Sequence, residues 1–183
     1  MSDRYADPAA RGNPAAARSP GPGGPRGVAA APGWALPGFG PMTRITTQLG
    51  DFPAQTLRVG DRVRTRRGPF KRIVWLDRVV LDEGFLAHHP EALPILIRPG
   101  AFGAGLPARD VVVSPAQRLH GPRMQPGARP QPAGMLTTGP RVMRKPETVF
   151  TYTLFHCDEL VDVHVEGLWV PIPPRAPIAP AED

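Results

Sequence analysis

The run Gly38-Phe39-Gly40-Pro41-Met42-Thr43-Arg44-Ile45-Thr46-Thr47, followed by Gly50 and then by Leu57-Arg58-Val59-Gly60-Asp61-Arg62-Val63-Arg64-Thr65, decides how the rest of this chain is read. Apolar and polar residues alternate along it, and the pairs Gly50-Asp51 and Gly60-Asp61 interrupt it. Such alternation marks strands with one buried face, and Gly beside Asp tolerates the tight or left-handed backbone of a turn. The same pattern continues outward through Ile73-Val74-Trp75, Val79-Val80-Leu81, Ile95-Leu96-Ile97, Val111-Val112-Val113 and Val161/Val163/Val165. Many short β-branched runs bounded by Gly and Pro predict an all-β domain with no helix longer than about two turns. His88-His89 falls before Pro90 in an expected loop, Leu119 to Pro140 reads as a long irregular excursion, and residues 171–183 read as an extended exposed tail.

From residue 38 to about 170 these strands and turns resemble a Hint domain, the self-processing fold shared by hedgehog C-terminal domains and inteins. The likeness is greatest to the bacterial Hint subfamily, whose pattern is like Cys-Phe-x-Pro-Gly-Thr-x-Ile-x-Thr-x-x-Gly, then Leu-x-x-Gly-Asp-x-Val-x-Thr. The resemblance implies a flattened, pseudo-two-fold β fold over residues 37–171, with residues 1–36 as an arm and 172–183 as a tail. It also implies an acyl shift, in which a thiol or hydroxyl on the first residue attacks the preceding carbonyl. That first residue is Gly38, which has no side chain to attack the Pro37 carbonyl.

The other blocks depart at the same kind of position. Asp110-Val111-Val112-Val113-Ser114-Pro115-Ala116-Gln117-Arg118 is similar to a family pattern Asp-Leu-x-Val-Ser-Pro-x-His-Arg. Ser114 keeps the hydroxyl, but Gln117 stands at the histidine position and cannot donate a proton as an imidazolium does. In the third block, Val149 to Gly167, the two family histidines fall on Leu154 and Leu160. Phe150, Tyr152 and Leu154 share one face of an alternating strand, so Leu154 reads as core.

The residues offer few substitutes. Cys157 is the only thiol and the fallback nucleophile; as a lone cysteine it also rules out an internal disulfide and a Cys-rich zinc site. Thr43 and Ser114 are hydroxyls without a neighbouring base in sequence. Of the five histidines only His156 adjoins Cys157, and adjacent strand residues point to opposite faces, so that pair chelates poorly. His164, alternating with Asp162 and Glu166, reads as part of a solvated polar face. Neither a metal nor a cofactor is expected, and no nucleophile–base pair supports an ordinary hydrolase.

Composition bounds the rest. Residues 1–41 hold 8 Pro, 8 Gly and 10 Ala, too little apolar surface to offset ordering, so the arm is expected to be disordered. It lacks a signal-peptide core, and no stretch is long enough to span a bilayer. A cytoplasmic protein is therefore expected, with non-classical secretion left open. Residues 58–72 carry seven Arg/Lys against Asp61, residues 98–145 carry eight against Asp110, and residues 147–183 carry seven acids against Arg175. The simplest account sets an acidic strand beside a basic hairpin. The alternative is a polyanion face at Arg62, Arg64, Arg66 and Arg67, which lacks stacking aromatics apart from Phe70 and Trp75. The expectation is thus a degenerate Hint domain serving as a binding or structural module, with a protein the expected partner. Self-cleavage through an unusual nucleophile and polyanion binding are the alternatives.

Overall fold

The computed structural model describes residues 34–120, 129–137 and 139–174. Within them the chain forms thirteen short strands and one α-helix. In chain order these are β1 (Arg44–Thr47), β2 (Gly50–Pro53), β3 (Arg62–Val63), β4 (Lys71–Arg72), β5 (Trp75–Leu81), α1 (Glu83–His88), β6 (Ile95–Ile97), β7 (Val111–Val113), β8 (Arg118–Leu119), β9 (Gln131–Pro132), β10 (Val142–Arg144), β11 (Phe150–His156), β12 (Val161–Val165) and β13 (Leu168–Ile172). One sheet runs β13-β12-β1-β3-β4, with β2 also paired to β1; a second runs β10-β6-β7. Two ribbons, β11-β5 and β8-β9, complete the pairing.

The alternation expected from sequence sets which residues enter the core. In β12, Val161, Val163 and Val165 are buried while Asp162 and His164 are half-buried on the other face. Ile45, Leu57, Val63, Ile73, Ile95, Ile97, Val111 and Val113 join them in the main apolar cluster. A second cluster gathers Leu81, Leu86, Ala92, Phe150, Tyr152 and Leu154, so the sequence placement of Phe150, Tyr152 and Leu154 on one buried face holds. Burial of such side chains contributes about 1.5–3 kcal/mol each before the entropy of ordering is counted.

The basic and acidic segments do lie side by side. Thr65 bridges to Val163, the Arg66 N–H donates to the Asp162 carbonyl at 2.9 Å, and the His164 N–H donates to the Arg64 carbonyl at 3.0 Å. Lys71 forms an ion pair with Glu159.

Four expectations are corrected. His88 is the last residue of α1, not a loop residue, because the Asp82 carboxylate caps the helix by accepting from the Phe85 N–H at 2.8 Å. The segment 119–140 is only partly irregular: β8 pairs with β9, and Ala133–Leu136 is a 3₁₀ turn. Pro171 and Ile172 are not tail residues but the buried end of β13, paired with Asp162 and Val161. Residues 34–36, assigned to the disordered arm, are held on the domain by contacts described below, while the rest of the arm lies outside the described residues. Among the described residues no helix is long and apolar enough to cross a membrane.

Candidate functional site

The segment around Gly38 lies as a short extended piece between β7 and β11, which brings together the three sequence blocks. Phe39 bridges to Val113 on one side and Thr153 on the other. Its N–H and carbonyl exchange two 2.9 Å bonds with Thr153, and the Ser114 N–H donates to the Gly38 carbonyl at 2.9 Å. The Gly40 N–H donates to the Val112 carbonyl at 2.7 Å, and Thr43 clamps the same residue, donating to its carbonyl at 2.8 Å and accepting from its N–H at 2.9 Å.

Gly38 is held by its surroundings as a glycine. Its φ of +156° is a conformation that side chains rarely adopt. A Cβ there would stand 3.1 Å from the Tyr152 Cβ, 3.3 Å from the Thr153 carbonyl oxygen and 3.4 Å from the Leu154 Cδ1. Two of those three neighbours sit on or beside the backbone of a fully paired strand and cannot turn away. The space beside Gly38 amounts to about 10 Å³ and is bounded by Pro37, Gln117, Leu154 and Ile172 among others. That is at the lower limit for one water molecule.

Gln117 supplies hydrogen bonds here. It is 2% exposed, accepts from the Gly38 N–H on its Oε1 at 3.2 Å, and donates from Nε2 to the Pro171 and Arg118 carbonyls at 3.3 Å. The amide thus ties the Gly38 N–H to β13. No proton is offered to a departing nitrogen, because the group facing that nitrogen is an acceptor.

Ser114 is also engaged. Its hydroxyl donates to the Leu36 carbonyl at 2.5 Å and accepts from the Trp34 Nε1–H at 2.8 Å and the Ala116 N–H at 3.2 Å. Trp34 packs against the rings of Tyr152 and Phe85, each at 5.9 Å between centroids. The residues just upstream of Gly38 are therefore fastened to the domain. Trp34 was legible only as one of few large apolar side chains in a Pro/Gly/Ala-rich run; its partners are 51 or more residues away.

The remaining candidates separate. Leu154 is buried beside Gly38, whereas Leu160 is 68% exposed just before β12. Cys157 is buried in the main cluster at 1% exposure, and burial, reinforced by Asp158, pushes its thiol up to about 11. That thiol is held protonated and unreactive at neutral pH. His164 accepts a role in structure: its Nδ1–H donates to the Thr46 hydroxyl at 2.7 Å, and that hydroxyl donates to Asp51 at 2.6 Å. The four arginines are exposed and have different surroundings. Arg62 pairs across to Arg72, Arg64 lies 5.9 Å over the Trp169 ring, and only Arg66 and Arg67 reach the groove next to Pro37. Among the described residues no group of three or more His, Cys, Asp or Glu could hold a metal.

The family model described as the Hint domain matches residues 37–171. No curated protein matches the chain. Among solved structures it is similar to the MchDnaB-1 intein, with 11% identity and a TM-score of 0.47 over 73% of this chain and 98% of that one. It is likewise similar to the gp41-1 intein, with 10% identity and a TM-score of 0.48 over 74% of this chain and 98% of that one. Because the Hint model covers most of the chain, and the three blocks that carry its motifs meet around residue 38, the chain belongs to the Hint domain family.

Proposed function

We propose that this Hint domain has lost self-processing and serves as a binding or structural module. The observation that carries the reading is Gly38 itself, which offers no nucleophile and sits where a Cβ would crowd Tyr152, Thr153 and Leu154. Gln117 supports it, since its Oε1 accepts from the Gly38 N–H instead of donating to that nitrogen. The upstream segment, held through Trp34 and Ser114, behaves as a fixture of the domain rather than a leaving group. The one thiol is buried and protonated, which argues against Cys157 as a replacement nucleophile.

The test is intact mass of freshly expressed chain, followed over hours with and without hydroxylamine. The expected result is a single species at 19.7 kDa under both conditions. A break between Pro37 and Gly38 refutes the reading. The paired substitution G38C/Q117H is expected to remain uncleaved as well, because it restores chemical groups without the space they need.

A further inference from the structure

A groove of about 780 Å³ opens beside the Gly38 site, bounded at that end by Pro37 and Gln117. Its size lies within the range of sites that enclose a ligand or peptide segment. The wall carries Arg66, Arg67, Lys71 and Arg118 against two carboxylates, Glu159 and Asp162. One of them is already paired. Glu159 forms an ion pair with Lys71, while Asp162, 3.8 Å from His120 Nε2 and beyond hydrogen-bond reach, sets one negative charge against the three remaining arginines. Arg118 donates one hydrogen bond to the Pro130 carbonyl at 2.9 Å and has no carboxylate partner among the described residues. The groove therefore presents a surplus of positive charge.

We propose that this groove binds an extended acidic segment of a protein partner, with Arg66, Arg67 and Arg118 receiving its carboxylates. The proposal rests on the reading of the domain as a binding module and names the chemistry of what it binds. Two features favour a peptide over other anions. The three arginines come from separate elements, the loop after Thr65 and β8, so a row of carboxylates meets them better than one compact anion does. Among the described residues the rest of the lining is Ala, Pro, Val and Leu with Thr65, Gln117 and His120, and it holds no Phe, Tyr or Trp on which a nucleobase could stack. His120 adds a further sign of unused capacity. Its ring nitrogens are buried and have no hydrogen-bond partner among the described residues, an unusual state for buried polar atoms.

The test is fluorescence anisotropy of a labelled octapeptide of alternating Asp and Glu, titrated with the full chain at about 0.1 M salt, where exposed charges are screened beyond roughly 10 Å. Saturable binding is expected, absent for the Asn/Gln octapeptide. Replacing both groove arginines, R66A/R67A, is expected to weaken binding by about ten-fold or more, as is usual when charge partners are removed from a recognition site. R62A, an exposed arginine outside the groove, is expected to change it less than about two-fold, the level of an unpaired surface charge. Absence of saturable binding overturns the proposal, as does equal weakening by R62A and R66A/R67A. An oligodeoxynucleotide of equal charge binding as tightly also overturns it, since that marks indiscriminate attraction to polyanions. Intact mass is read on the same samples. Cleavage would sink the module reading, whereas an intact chain that ignores the peptide would sink this proposal alone.

Discussion

Gly38→Ala isolates the claim that the site has closed around a glycine. Alanine adds only a Cβ, so no chemistry is gained and the whole effect is steric. Holding a non-glycine residue in a sparsely populated backbone region costs about 1–3 kcal/mol. Forcing one extra carbon against neighbours that cannot retreat costs a further 1–3 kcal/mol or so. The Cβ contacts of 3.1 Å to Tyr152 and 3.3 Å to the Thr153 carbonyl are of that kind, because both belong to β11, paired along its whole length with β5. The expected loss is about 3 kcal/mol, which for a domain near 150 residues lowers Tm by roughly 6–12 °C. Gly50→Ala is the control: its φ is +119°, but nothing lies within 4 Å of a Cβ there, so it carries backbone strain without crowding. The assay is urea and thermal unfolding of both variants beside the parent chain. If Gly38→Ala costs no more than Gly50→Ala, Tyr152, Thr153 and Leu154 do not fill the nucleophile's place. The proposed loss of processing then has only the missing side chain of residue 38 and the amide of Gln117 behind it.

Gln117→Ala leaves the Gly38 N–H and the Pro171 carbonyl without their side-chain partner in a buried site, and an orphaned group costs about 1–3 kcal/mol; a urea midpoint unchanged from the parent would show that water replaces the amide. Trp34→Ala removes two ring contacts, each worth about 0.5–1.5 kcal/mol beyond burial, so a loss near 2 kcal/mol and faster proteolysis upstream of Gly38 are expected. Unaltered cleavage rates would mean Trp34 does not fasten that segment. Cys157 should resist a thiol reagent at pH 8 in the folded chain, its thiol lying near 11, and react fully in urea; rapid labelling of the folded chain contradicts its burial. His164 is held below the ordinary 6.5 by burial first and Arg64 second, so the unfolded chain takes up a proton that the folded chain resists. Its contribution is complete above pH 6.5 and is lost as pH falls below that. His164→Asn should flatten the stability profile between pH 7 and 5, and an unchanged slope assigns the acid sensitivity elsewhere.

What the sequence by itself determined is the part governed by neighbours along the chain. The period of two in Val161, Val163 and Val165 placed them inward, and Gly60-Asp61 marked a turn, because both depend on residues a few positions apart. That residue 38 carries no nucleophile and residue 117 no imidazole was equally legible, since each is a matter of residue identity. Even α1, hidden by its shortness, had a local signal in Asp82 ahead of Glu83. Tertiary structure alone decided that a Cβ on Gly38 would crowd β11, that Gln117 reaches β13, and that Trp34 closes on Ser114, 80 residues away. It also split the arginine run, leaving Arg64 over Trp169 and carrying Arg66 and Arg67 into a groove with Arg118 and His120. Such contacts join segments far apart in the chain, and their formation depends on how the sheets pack, which no local pattern encodes.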